Sequence, residues 1–95
     1  MISIIAKNVV RPDQVETFKT LARELVAETR KEKGCIAYAL NQDIQDPAVL
    51  TFIERWQDQA AIDAHGASVH FTRIVPKLGA LAAREGEVRL YREVD

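Results

Sequence analysis

Two histidines, His65 and His70, fall in the run Ala64-His65-Gly66-Ala67-Ser68-Val69-His70-Phe71. Five residues apart on one unbroken helix, their rings would splay away from each other, but Gly66 interrupts the run and lets them converge. An imidazole in such a place serves as a base or as a hydrogen-bond partner, and equally well as a helix-capping or surface group. Glu54 shares one side of the alternating run Leu50, Phe52, Glu54, Trp56, and Asn8 shares one side of Ile2, Ile4, Ala6 and Asn8. A carboxylate on an apolar row costs several kcal/mol unless it is paired, hydrogen-bonded or protonated. Glu54 is therefore either an acid–base group in a pocket or a structural residue, paired with an Arg from the last strand or set at a wet edge. If it is the former, Glu54 and His65 would work as one unit.

Aromatic residues accompany these polar groups. Trp56 and Phe71 are candidates for an apolar pocket wall, and Tyr38 could line the same pocket through its hydroxyl; each is also an ordinary core residue. A metal site made of Glu54, His65 and His70 has an acceptable ligand set without a recognised spacing, so no metal is expected. Cys35 is the one cysteine, which excludes an internal disulfide and reads as a small core residue. No phosphate-cradling glycine loop, dinucleotide fingerprint or nucleophile elbow occurs, and no cofactor is expected. The 13 basic and 14 acidic side chains are dispersed, giving a net charge of −1 and no stripe suited to nucleic acid. Nowhere do apolar residues run to the roughly 20 needed to cross a bilayer, and the short apolar start turns polar at Lys7, so a cytoplasmic protein without a membrane partner is expected.

The elements that must position these residues follow from periodicity. Ile2–Val10 is β-branched and ends at Arg11-Pro12, which predicts a strand followed by a helix start. Val15, Phe18, Leu21, Ala22, Leu25 and Val26 recur at helical spacing, predicting a helix over about 13–32 that Gly34 stops. Strands are predicted at 35–42 and 49–56, joined by the turn-rich Asp43–Pro47 as an antiparallel pair. Asp58 caps a brief helix ended by Gly66, and Ser68 opens another with the stripe Phe71, Ile74, Val75, Leu78, Leu81 and Ala82, locally tightened at Pro76. Gly86 then precedes a last strand over 87–94.

This βαββαβ order, with no linker or repeat in residues 1–95, predicts one α+β domain: a ferredoxin-like sandwich whose four-stranded antiparallel sheet carries its helices on one face. The other face should then be polar in a monomer. Instead Ile5, Val9, Ala37 and Ala39 occupy it, opposite Ile36, Tyr38 and Leu40 on strand two, which predicts a homodimer joined through the sheet.

Taken together, Ile4-Ile5-Ala6-Lys7-Asn8, Gly34-Cys35, Ile53-Glu54-Arg55-Trp56, the His-x4-His stretch and the closing Leu90-Tyr91 resemble the small antibiotic biosynthesis monooxygenase domains along the whole chain. The resemblance implies a dimeric α/β barrel made by packing two sheets face to face. It further implies a cofactor-independent monooxygenase acting on a small aromatic quinol or phenol: His65 or Glu54 takes the phenolic proton, Asn8 and His70 hydrogen-bond the oxyanion, and Trp56, Phe71 and Tyr38 line the pocket. The haem-degrading branch has Trp where this chain has His65, and points elsewhere. A sugar-derivative isomerase in the same family also carries Glu, His and His at the places of Glu54, His65 and His70. That leaves, as alternatives, an acid–base isomerase of a small phosphorylated carbonyl compound and a non-catalytic dimeric ligand-binding module.

Overall fold

A computed structural model describes all residues, 1–95. The strands are β1 (Ile2–Val10), β2 (Cys35–Gln42), β3 (Val49–Trp56) and β4 (Ala82–Arg92); the helices are α1 (Val15–Thr29), α2 (Gln59–Gly66) and α3 (Val69–Gly79), with a 3-10 turn at Pro12–Gln14 leading into α1. The sheet is antiparallel in the order β2-β3-β1-β4. This is the ferredoxin-like arrangement.

Each element forms for a local reason. Pro12 fixes the backbone of the first turn before α1, and the apolar stripe of α1 buries Phe18, Ala22 and Leu25 against the sheet. Asp58 accepts a hydrogen bond from the Ala61 amide at the start of α2, and Ser68 accepts one from the Phe71 amide at the start of α3, each satisfying an otherwise unpaired helix donor. In the β2–β3 connection the Asp43 carboxylate accepts from the amides of Gln45 and Asp46, closing an Asx turn. The core that results is centred on Phe18, Leu25, Leu50, Trp56 and Ile74, each no more than 1% exposed.

Two boundaries and one register differ from the sequence expectation. Helix α1 stops at Thr29 rather than near 32, because the polar Arg30–Lys33 stretch has no apolar contact to gain by staying helical; a tight turn replaces it. Strand β4 begins at Ala82 instead of 87, so Leu81 and Ala82 leave the helical stripe to which their spacing also fitted. Gly86 lies within that strand, at a register shift against β1 where a Cβ would sit 2.3 Å from the Lys7 carbonyl oxygen. In the β2–β3 pairing, a register shift between Cys35 and Ala37 puts Cys35 opposite Trp56 and leaves Ile36 47% exposed, so Ile36 is not part of the helix-side row with Tyr38 and Leu40.

Gly34 carries the one positive φ, 90°, and its position would bring a Cβ to 2.6 Å from the Cβ of Ala61. Its carbonyl accepts the Gln57 amide at 2.8 Å. The α1–β2 turn is thereby pressed onto the β3–α2 turn, which brings the residues just before Gly34 beside α2. On the face away from the helices, Ala39, Ile53, Ile5 and Arg89 are aligned across the four strands, with Ile53 44% exposed. No helix is long and apolar enough to cross a membrane.

Candidate active site

Between the sheet and the helices α1, α2 and α3 lies a cavity of about 340 Å³. Its sheet side is formed by Ile4, Ala6, Asn8, Tyr38, Phe52 and Glu54, its helix side by Leu25, Ile62, His65, Phe71, Val75 and Leu78, and its outer edge by Val88 and Leu90 of β4. The register that sets Glu54 opposite Ile4 and Tyr38, and Asn8 opposite Leu50, explains why these polar groups share one face. No Lys or Arg lines the cavity.

Glu54 is 5% exposed. Burial pushes its carboxyl up to about 7; the Trp56 indole N–H, donating to Oε1 at 2.9 Å, opposes that rise, while the charge of Glu32 adds to it. No Arg pairs with Glu54. The structural partner expected from the last strand is thus absent: Arg89 of β4 pairs with Glu87, and Arg55, the neighbour of Glu54 on β3, reaches Glu93 on the opposite side of the sheet. The expected Glu54–His65 pair is likewise absent as a direct hydrogen bond.

His65 is held by a carboxylate that sequence reasoning passed over. Glu32 Oε2 lies 2.7 Å from His65 Nδ1 and also 2.7 Å from His70 Nε2. A carboxylate oxygen offers only lone pairs, so both contacts place a proton on the imidazole nitrogen concerned. The two histidines do converge, as their interrupted spacing predicts, but upon Glu32 and not upon Glu54. These three side chains also have the composition of a cation site, with their ligand atoms within 4.8 Å of one another. The separation of 2.7 Å is that of a charge-assisted hydrogen bond, whereas ligands at zinc bond lengths of about 2.0–2.1 Å in a tetrahedron stand about 3.3 Å apart.

Trp56 is fully buried and does not reach the cavity, contrary to its expected place in the wall. It sits behind the site, stacked against His65 at a centroid distance of 4.6 Å while its N–H holds Glu54. Phe71 and Tyr38 do line the cavity, packing edge-on to His65 at 4.9 and 5.4 Å. Burial, with the charges of Glu54 and Glu32, pushes the Tyr38 hydroxyl well above its usual range, so it remains a donor. His70 does not line the cavity. Asn8 does, but its Nδ2 donates to the carbonyls of Ala6 and Leu50 at 3.2 and 3.1 Å. Carbonyls only accept, so the amide nitrogen must face them, leaving Asn8 Oδ1 free as an acceptor. Neither His70 nor Asn8 is therefore a free donor for an oxyanion.

The family described as "Antibiotic biosynthesis monooxygenase" matches residues 1–77. The chain belongs to the antibiotic biosynthesis monooxygenase family. A solved structure described as an antibiotic biosynthesis monooxygenase is 42% identical and superposes with a TM-score of 0.96 over 100% of both chains. A conserved protein from Methanosarcina mazei Go1 is 40% identical with a TM-score of 0.96, covering 98% of this chain and 92% of that one. The uncharacterized protein sll1783 of Synechocystis is 32% identical over 94% of this chain, which spans 61% of that relative's length. Glu54 and His65, with Asn8 and Tyr38, are the polar side chains of a cavity lined mainly by apolar residues.

Proposed function

We propose that the protein is a monooxygenase that oxidises a small aromatic quinol or phenol with O₂, the substrate itself supplying the electrons. The observation that carries this reading is a carboxyl raised to about 7 inside an apolar cavity, a base poised for a weakly acidic hydroxyl near neutral pH. Family membership supports the reaction class.

Glu54 takes the phenolic proton while the Tyr38 O–H stabilises the developing phenolate, and Asn8 Oδ1 accepts from a second hydroxyl. The electron-rich ring carbon gives electrons to O₂ and forms a C–O bond, producing a peroxide. His65 then removes the hydrogen on that carbon as a proton. Carbonyl formation breaks the O–O bond, and the departing hydroxide collects a proton to leave as water. One oxygen atom remains in the product and the other becomes water, with no external reductant.

A phosphorylated carbonyl substrate fits less well, because its phosphate would enter a cavity without Lys or Arg and face Glu54. Oxygen uptake with a panel of quinols, together with ¹⁸O₂ labelling of the product, tests the oxygenase reading. No uptake and no label would sink it; a ligand-induced rise in thermal midpoint without turnover would favour a binding module. Turnover is expected to survive EDTA and exhaustive dialysis, measured as the initial rate before and after treatment. Loss on chelation with recovery on adding one metal ion would replace this mechanism with a metal-assisted one.

A further inference from the structure

Glu32 is a lysine-flanked residue in the turn after α1, a position that ordinarily faces water. Here Lys31 pairs with Glu28, and the Glu32 side chain turns inward to 15% exposure. The other ion pairs of the protein each use a Lys or Arg, whereas Glu32 meets only the two imidazoles. Burying a carboxylate costs free energy unless its partners repay it, so this inward turn needs a reason. The turn itself is well fixed: the Glu32 amide donates to the Thr29 carbonyl, its own carbonyl accepts from the Cys35 amide, and Gly34 ties the segment to Gln57.

We propose that Glu32 is the positioning residue of this site, fixing His65 as the Nδ1–H tautomer with Nε2 left to accept a proton on the cavity side, while His70 holds Glu32 in place. The geometry supports each part. The Nδ1–H is committed to Glu32, no protein group hydrogen-bonds Nε2, and His65 lines the cavity. The ring cannot turn to exchange its nitrogens without breaking its packing against Trp56, Tyr38 and Phe71. His70 binds the same oxygen from the first turn of α3, so the carboxylate is clamped between two helices that follow one another in the chain. The negative charge also stabilises His65 after it has accepted a proton, as an orienting carboxylate does behind other catalytic histidines.

The kinetic half of this inference rests on the oxygenase reading; the tautomer does not. Nitrogen-15 NMR of the histidine side chains reads it directly. In the wild-type protein His65 is expected to carry its proton on Nδ1, and in Glu32→Ala to shift toward Nε2–H. Glu32→Gln keeps a carbonyl acceptor and the side-chain shape, so it should preserve the tautomer while losing the charge, and it serves where the alanine variant folds poorly. With an oxidisable quinol, Glu32→Ala is expected to lower kcat by about 10²-fold or more with KM little changed, and Glu32→Gln to fall between the two. A wild-type proton on Nε2, or an unaltered His65 signature in folded Glu32→Ala, overturns the proposal. So does tight one-to-one Zn²⁺ binding by the wild type that Glu32→Gln abolishes, since the three side chains would then be ligands. Should no quinol be oxidised, the oxygenase reading fails while the NMR result still decides the role of Glu32.

Discussion

Replacing Glu54 with glutamine lowers turnover by about 100-fold or more, the scale of a lost general base, and leaves the fold at least as stable as before at pH 8. The two halves have one cause. Folding raises the Glu54 carboxyl from its usual 4.5 to about 7, so the folded protein holds that proton more tightly than the unfolded chain does. Between those values the native state carries more protons, and stability contributed by this group falls as pH rises through 7. The full effect is up to about 3 kcal/mol, reached above pH 7. Glutamine has no charge to bury and keeps a carbonyl for the Trp56 N–H, so the variant should lose this part of the pH dependence, and its stability relative to wild type should rise between pH 5 and 8. Wild-type kcat/KM, conversely, should rise with pH through about 7 as the base ionises. Thermal midpoints and rates taken on the same preparations at pH 5 and 8 check both. A glutamine variant that is less stable at pH 8, with activity tracking its folded fraction, would make Glu54 a structural residue.

The second large effect concerns the sheet face that the helices leave bare. We propose that it is covered by a second copy of the chain, because Ile5, Ile53 and Ala39 form an apolar row at its centre. The protein should then sediment near twice its 10.7 kDa chain mass at micromolar concentration. Ile53→Asp should dissociate the dimer, since an unpaired charge buried at an interface costs about 3–5 kcal/mol, a weakening of at least 100-fold. In a monomer the same change would fall on a half-exposed position and alter little. Sedimentation equilibrium of both proteins separates these outcomes, and a wild-type monomer overturns the proposal.

The strands bearing Asn8 and Glu54 were legible in the sequence because β-branched and alternating runs ended at strong breakers: Arg11-Pro12 after β1 and Asp43–Pro47 before β3. That same alternation placed Glu54 on an apolar row. Glu32 was not legible. Its contacts join residues 33 and 38 positions apart, and its lysine neighbours give the composition of a solvated helix end. The role of Asn8 was misread for a related reason: only the facing carbonyls of Ala6 and Leu50 determine which end of the amide is free. Trp56 was correctly placed beside the site but at the wrong depth, since spacing cannot tell a cavity wall from the layer behind it.

The close approach at Gly34 divides the molecule into parts with different freedom to change. Neither of the two turns pressed together there can lengthen, or take a larger residue at that contact, without moving Glu32, which one of them carries, relative to His65 on the helix that follows the other. Val75 and Leu78 on α3, with Val88 and Leu90 on β4, border the same cavity but share none of that constraint, and Val88 and Leu90 are 65% and 51% exposed. Descent with new substrates should therefore proceed by exchanging side chains on that far wall, keeping the Glu54 and His65 side intact, and a combinatorial library confined to Val75, Val88 and Leu90, with the core residue Leu78 left in place, would explore new specificities at little cost to folding.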